Sequence, residues 1–167
     1  MANDEHVMEG GCVCSAVRYR MDGPPLIVHC CHCSWCQRET GSAFALNALV
    51  EADRVHLLSG DIEEILTPSA SGAGQRICRC SRCKVAVWSR YAMPDIGDRV
   101  NFIRVGTLDR PGLLPPDVHI FTASALPWVS LDGDAPVFSD YYRASELWSQ
   151  SSLRRRRMLQ EAGGASR

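Results

Sequence analysis

The sequence predicts an all-β, or β-dominated, fold with a short C-terminal helix. Short runs rich in β-branched and aromatic residues recur along the chain and are bounded by Gly, Pro, Ser or Asp, as is typical of strands joined by turns. Long apolar stretches with a helical period are missing from most of the sequence. The 167 residues, of which 46% are apolar, suffice for one domain with its own core.

Each of these runs is a predicted strand, and the turn residues between them mark where one strand ends and the next begins. A turn is predicted at 22–25, a flexible surface loop at Thr67–Gly74, a helix at 145–162 and a frayed end after it. We therefore expect one zinc-binding domain over 1–143 and a C-terminal helix and tail over 144–167. The predicted strands are Val17–Met21, Leu26–His29, Ala43–Val50, Glu63–Leu66, Gln75–Cys80, Val85–Arg90, Val100–Gly106 and Val118–Ala123.

A basic run, Arg154 to Arg157, lies within the predicted helix. It could contact nucleic acid or another acidic partner, but a solvated helix face is the favoured interpretation, because the net charge is −1 and gives no broad attraction to polyanions. We expect no nucleic-acid partner. We also expect no membrane partner, since no apolar stretch is long enough to span a bilayer. The polar, acidic start lacks the pattern of a secretory signal, which favours a cytoplasmic protein.

Cysteine is the exceptional residue type. Nine cysteines are present, an odd number, and they form tight groups. Such grouping favours metal binding over a disulfide framework, because a small loop can direct several sulfurs to one point. The groups are Cys12-x-Cys14, Cys30-Cys31-x-Cys33-x-x-Cys36 and Cys78-x-Cys80-x-x-Cys83.

A C-x-C pair and a C-x-x-C pair can together form a tetrahedral four-sulfur zinc site. Cys12, Cys14, Cys80 and Cys83 could do this across the fold, and a closed site of that kind is structural. The segments Cys31–Cys36 and Cys78–Cys83 share the pattern C-x-C-S-x-C, so each could supply three sulfurs. The sequence does not establish how Cys12 and Cys14 are divided between them.

Cys31, Cys33 and Cys36 would then form a group of three ligands. A three-ligand zinc site keeps a position for water or substrate, which is typical of catalysis. Three thiolates leave such an ion better suited to holding a substrate thiol as a thiolate than to acidifying water. The alternative is a structural site with a fourth ligand. Cys30 and His32 are local candidates for it, although both face away from Cys31 and Cys33 if the segment is extended.

Motifs along the chain resemble the family of glutathione-dependent formaldehyde-activating enzymes, also called the GFA or centromere-protein-V family. The resemblance covers about Glu9 to Tyr142. Its motifs are Gly10-Gly11-Cys12-x-Cys14-x-x-Val17-Arg18-Tyr19, Cys31-His32-Cys33-x-x-Cys36-x-x-x-x-Gly41-Ser42-x-Phe44, Cys80-x-x-Cys83, Gly106-Thr107-Leu108-Asp109 and His119-Ile120-Phe121-x-x-Ser124-x-x-Pro127-Trp128.

The resemblance implies an Mss4-like fold, in which small antiparallel sheets are pinned by zinc. It also implies two zinc ions per chain, a structural one held by Cys12, Cys14, Cys80 and Cys83, and a catalytic one held by Cys31, Cys33 and Cys36. The implied reaction joins glutathione and formaldehyde to give S-(hydroxymethyl)glutathione, and its reverse is that of a carbon–sulfur lyase. The sequence departs from the family at Lys84, where a glycine is common, and at Ile77-Cys78, which replace an aromatic residue. We expect the first change to alter a turn.

Two other functions compete with the lyase. A non-catalytic zinc module that binds a protein or a nucleic acid would need a closed second site, and fold alone does not decide between them. A redox enzyme such as a methionine sulfoxide reductase would need a nucleophilic cysteine away from zinc, and no cysteine follows Cys83.

Several single residues have two readings each. His119 could shuttle protons near the second zinc, but a partly buried histidine is favoured. Trp35 could wall a substrate cleft or pack over the metal loop, and Arg38 could meet a substrate carboxylate or be simply exposed. We expect Pro127-Trp128 to anchor its loop to the core, and Cys30 and Cys78 to be buried apolar residues.

Overall fold

The computed structural model describes residues 7–69, 72–91, 96, 98–131 and 133–164. Within them the fold is mostly β-sheet with helix at the C-terminal end, as predicted. The strands are β1 Met8–Gly11, β2 Arg18–Met21, β3 Ile27–Cys31, β4 Ala45–Glu51, β5 Val55–Ser59, β6 Ile62–Thr67, β7 Gln75–Cys80, β8 Ala86–Tyr91, β9 Val100–Arg104 and β10 Val118–Ile120. The α-helices are α1 Ser34–Thr40, α2 Ala144–Leu147 and α3 Gln150–Gly164.

Seven strands form one large sheet in the order β10-β3-β4-β9-β8-β7-β6. Neighbours are antiparallel except β10 and β3, which run parallel with His119 opposite Cys30. The remaining strands, β1, β2 and β5, form a separate antiparallel sheet. The described strands therefore form two sheets that are antiparallel apart from the β10–β3 pair.

The large sheet separates two apolar cores, because side chains alternate between the faces of a strand. On β4, Ala48 and Val50 pack into the core beneath the three-stranded sheet. Leu49 packs into the other core, which Tyr142 and Trp148 cover from the C-terminal segment. The small sheet and the C-terminal segment thus lie over opposite faces of the large sheet.

The helices differ from the prediction at two places. Helix α1 was not predicted, because it is a seven-residue helix inside the cysteine motif and has no room for an apolar period. The single helix predicted at 145–162 is two helices, since the chain leaves α2 at Trp148 and begins α3 at Gln150. The Oγ of Ser149 accepts a hydrogen bond from the Ser152 N–H at 3.1 Å, which satisfies a free donor at the start of α3.

The remaining expectations concern strands, one loop, the packing of Trp128 and membrane-spanning helices. Two strands, β1 and β5, were not predicted, and β1 lies in a segment dominated by glycine and polar residues. Part of the predicted loop at Thr67–Gly74, positions 70 and 71, lies outside the described residues, as do the last three residues of the chain. Trp128 is 73% exposed, so the expectation that it anchors its loop to the core is wrong. Among the helices of the described residues, none combines the length and apolar composition needed to cross a membrane.

Candidate metal centre

Four cysteine sulfurs meet in the core beneath the three-stranded sheet and form the first sulfur group. Cys12 and Cys14 follow β1, Cys80 ends β7, and Cys83 closes the turn after it. Their Sγ atoms all lie within 4.8 Å of one another, with 3.4 Å between Cys12 and Cys14 and 3.8 Å between Cys14 and Cys80. The structure therefore brings together the four cysteines that the sequence paired, and it joins two segments far apart in the chain.

Backbone donors surround these sulfurs. The Val17 N–H donates to the Cys12 Sγ at 3.3 Å, and the Cys83 N–H donates to the Cys80 Sγ at 3.5 Å. Burial opposes ionisation of Cys12, but the Val17 N–H and the neighbouring thiols outweigh it and lower the pKa of this thiol to about 6. At Cys14 a backbone hydrogen bond at Ala16 lowers the pKa, but the neighbouring thiols outweigh it and raise the pKa. Because N–H groups directed at sulfur favour the thiolate, the group suits a cation that binds thiolates.

Three more sulfurs meet in the other core, on the opposite face of the large sheet, and form the second sulfur group. Cys31 ends β3, Cys33 caps the N-terminus of α1, and Cys36 lies in its first turn. Their Sγ atoms also lie within 4.8 Å of one another. Cys31 and Cys36 are buried and Cys33 is partly exposed, so the group is reached from the Cys33 side.

Helix α1 is built around this group. The Cys33 Sγ accepts the Cys36 N–H at 3.3 Å, so a sulfur takes the position that a Ser or Asp oxygen usually holds at a helix start. Hydrogen bonds from the Cys31 and Cys36 thiols and from the Cys36 N–H lower the pKa of Cys33. The helix ends at Gly41, whose φ of 65° is the left-handed conformation that glycine adopts most easily.

A partly buried charge network supports the same helix. Glu39 of α1 pairs with Arg104 of β9 at 2.8 Å and with Arg79 of β7 at 2.5 Å. Arg104 also donates to the Asn47 Oδ1 at 2.6 Å. The Cys31 thiol and the Arg104 charge lower the pKa of Cys36, but the Cys33 sulfur and burial outweigh them and raise it. Glu39 thus connects the helix that carries Cys36 to the strand that carries Cys80.

A third group lies on the other face of β3 from Cys31. It consists of Cys30, His32 and His119, whose ligand atoms lie within 4.8 Å of one another. The His32 Nε2 is 3.0 Å from the His119 Nδ1 and 3.5 Å from the Cys30 Sγ, so one imidazole donates to the other. Burial lowers the pKa of both histidines, which favours a neutral, hydrogen-bonded pair.

These placements decide several sequence-based expectations. Cys30 and Cys78 are both buried, as predicted, but Cys30 also contacts His32, which its spacing did not indicate. His119 is partly buried, and its ring contacts His32, with 3.0 Å between its Nδ1 and the His32 Nε2. Lys84 has a φ of 63°, so it adopts the left-handed conformation that glycine would take at the same position.

Zinc fits the donor sets of the first two groups. Tetrahedral zinc prefers thiolate sulfur, and its ligands must come within a few ångströms of one another. Four sulfurs would complete the coordination at the first group. At the second group the described residues supply three sulfurs, and neither Cys30 nor His32 belongs to that set.

Known proteins resemble this chain in sequence and in structure. The family model described as "Glutathione-dependent formaldehyde-activating enzyme" matches residues 7–124, a span that includes both sulfur groups. A Halomonas elongata protein named "Putative glutathione-dependent formaldehyde-activating enzyme" is 29% identical over 134 residues, which cover 75% of this chain and 82% of that protein. A crystal structure of a Rhodobacter sphaeroides protein aligns with a TM-score of 0.46 and 16% identity, covering 78% of this chain and 99% of the other.

Proposed function

We propose a function from one established premise: the chain belongs to the family of glutathione-dependent formaldehyde-activating enzymes. On that premise the protein joins the sulfur of a thiol, with glutathione as the expected one, to the carbon of formaldehyde. In the reverse direction it is a carbon–sulfur lyase. Cys31, Cys33 and Cys36 form the catalytic group and would hold zinc, whereas Cys12, Cys14, Cys80 and Cys83 would hold a second, structural zinc.

One observation carries this proposal: the second group has three sulfurs and, among the described residues, no fourth ligand within the group. Three protein ligands leave room for one more, and a substrate sulfur is a suitable fourth donor. Cys33 is partly exposed, so a small thiol has access. The first group, with four sulfurs, offers no such position.

The reaction needs no oxidant and no other co-reactant. The thiol loses its proton, its sulfur attacks the carbonyl carbon, and the carbon–oxygen π electrons move to oxygen, which takes up one proton. One carbon–sulfur bond forms and no net proton is consumed. Zinc, when bound, supplies the positive charge that keeps a thiol deprotonated near neutral pH.

The chain's own residues organise this chemistry. The cap at Cys33 and the burial of Cys31 and Cys36 hold the three sulfurs in place before any ligand arrives. The guanidinium of Arg104, held by Glu39 and Asn47, offsets part of the negative charge that three thiolates concentrate. Preorganised charge of this kind costs no reorganisation during the reaction.

Cobalt substitution tests the proposal, because thiolate-to-cobalt charge-transfer bands respond to each added sulfur. We expect glutathione to change the spectrum of the wild-type protein, and to do so more strongly as the pH rises toward the pKa of its thiol, since the ligand must lose its proton to bind. Adding ¹³C-formaldehyde should then change the spectrum again. The protein should also accelerate the formation of S-(hydroxymethyl)glutathione, and the rate of that reaction is measured by exchange NMR with ¹³C-formaldehyde.

Two variants sharpen the experiment. Cys33→Ser should abolish both responses, because it removes one sulfur of the second group. Cys78→Ala is the control, since Cys78 is a buried cysteine that belongs to neither sulfur group, and it should leave both responses in place. If several different thiols leave the wild-type spectrum unchanged, the site is closed, and a non-catalytic zinc module becomes the better interpretation.

A further inference from the structure

A cavity of about 460 Å³ lies between the segment before α2 and the helix α3. Its walls include the aromatic rings of Tyr141, Tyr142 and Trp148 and the guanidinium-bearing residues Arg143, Arg156 and Arg157. Small-molecule sites usually enclose roughly 300–1,000 Å³. The cavity therefore has the size of a site for a small organic molecule.

Among the described residues, the charged side chains that line this cavity are all basic. Three arginines line it, and none of its described lining residues carries a carboxylate, although the whole chain has a net charge of −1. The Arg156 guanidinium lies over the Trp148 ring, 5.7 Å from the centroid, which places a cation against an aromatic wall. Such a cavity is complementary to an organic anion.

The four arginines of the basic run of α3 have different surroundings. Arg155 turns away and pairs with Glu51, with 2.6 Å between its Nε and the Glu51 Oε1; this attaches the helix to the end of β4. Arg154 is exposed and does not line the cavity. Arg156 and Arg157 face the cavity instead, so the run is neither a uniform solvated face nor a uniform anchor.

The cavity wall packs against the core that holds the second sulfur group. The Tyr142 hydroxyl lies 2.6 Å from the His29 Nε2 and accepts the Trp148 Nε1–H at 2.7 Å. His29 precedes Cys31 by two residues on β3, so their side chains share a face, roughly 7 Å apart along the strand. Tyr142 and Trp148 belong to the same apolar core as Cys31 and Cys36.

We propose that this cavity binds the carboxylate-bearing part of an organic thiol, while the thiol end extends toward Cys31, Cys33 and Cys36. The ligand class rests on the proposed function, but the binding itself does not require the reaction. Guanidinium groups pair with carboxylates through two parallel hydrogen bonds, and the aromatic walls pack against the remainder of the ligand. The cavity thereby selects an acidic thiol over a neutral one.

Calorimetric titration with S-methylglutathione tests this site apart from catalysis, because that thioether has both carboxylates and no ionisable thiol. We expect the wild-type protein to bind it, and Arg143→Gln and Arg157→Gln each to weaken binding about tenfold or more, as loss of a charged hydrogen bond does. Arg154→Gln is the matched control from the same basic run and should bind as the wild type does. The diester of S-methylglutathione, which lacks carboxylate charge, should not bind detectably.

The outcomes separate the two proposals. Equal affinity in wild type, Arg143→Gln and Arg157→Gln, or equal affinity for the diester, overturns the cavity proposal. Catalysis with glutathione but no binding of S-methylglutathione also overturns it and leaves the proposed function standing. Arginine-dependent binding without any catalysis supports the cavity and overturns the proposed reaction, and the absence of both overturns both.

Discussion

The two C-x-C-S-x-C segments share a sequence pattern and a local geometry, but not their surroundings. In each, the last cysteine N–H donates to the sulfur three residues earlier, at 3.3 Å in Cys31–Cys36 and 3.5 Å in Cys78–Cys83. The first segment continues into α1 on one face of the large sheet. The second ends in a turn over the other face, where Cys12 and Cys14 join it.

The local motif determines only part of each sulfur group. In both segments it places two cysteines so that the backbone N–H of the second donates to the sulfur of the first. Whether more sulfurs arrive depends on residues from elsewhere in the chain, since Cys14 and Cys80 are 66 positions apart. The same pattern therefore suits a closed structural site in one place and an open site in the other.

Removing one sulfur from each group should give the largest difference between the two segments. Cys80→Ser opens the site that joins β1 to β7, and loss of such a metal site costs on the order of 4–5 kcal/mol, roughly 10–20 °C in Tm for a domain of this size. Cys33→Ser removes a local group and should lower Tm by only a few degrees. Thermal melts of the zinc-loaded proteins measure both.

Zinc content provides the control for these melts. We expect two ions per chain in the reconstituted wild type and one in Cys33→Ser. Similar melting losses in the two variants would contradict the division into structural and catalytic groups. Three ions per chain in the wild type would assign a metal to Cys30, His32 and His119 as well.

Glu39→Gln tests the connection between the segments and should have an intermediate effect. The change removes the charge that pairs with Arg79 and Arg104, of which Arg104 is nearly buried. We expect a loss of about 2–3 kcal/mol, because a poorly solvated guanidinium loses its counter-charge. Glu63→Gln is the control, since its pair with Lys84 is well exposed and should contribute less than about 1 kcal/mol. Equal urea midpoints for the two variants would contradict the bridging role of Glu39.

Substitutions at Lys84, which follows the second segment, and at Gly41, which ends α1, should have the smallest effects on stability. One should stabilise the protein and the other should destabilise it. Lys84→Gly should stabilise the protein by about 0.5 kcal/mol, because it relieves a left-handed residue at some cost in unfolded-state entropy. Gly41→Ala should destabilise it by about 1 kcal/mol through backbone strain alone, since an added Cβ meets nothing within 4 Å. Denaturant titrations measure both, and Lys84→Gln separates the backbone effect from loss of charge. A destabilised Lys84→Gly would contradict the strain argument.

Sequence reasoning reached the cysteine groups because metal ligands follow short, fixed spacings. Cys31, Cys33 and Cys36 needed only local geometry, and the strand Gln75–Cys80 was predicted with its observed bounds. The rest depended on contacts between distant segments. The pairing of His119 with His32 arises from the parallel β10–β3 contact, and the cavity arises where α3 folds back over the sheet. Neither leaves a local pattern that could be read before the strand order was known.

The parallel strands β10 and β3 are far apart along the chain, so they are made at different times during protein synthesis. His119 follows His32 by 87 residues, so at a translation rate of about 5–20 residues per second it emerges roughly 4–17 s later. Throughout that interval Cys31, Cys33 and Cys36 are already made, whereas β10 and the C-terminal segment are not. We therefore expect the second group to meet cellular metal ions before its surroundings form, so the ions available to the nascent chain influence which one the finished fold encloses.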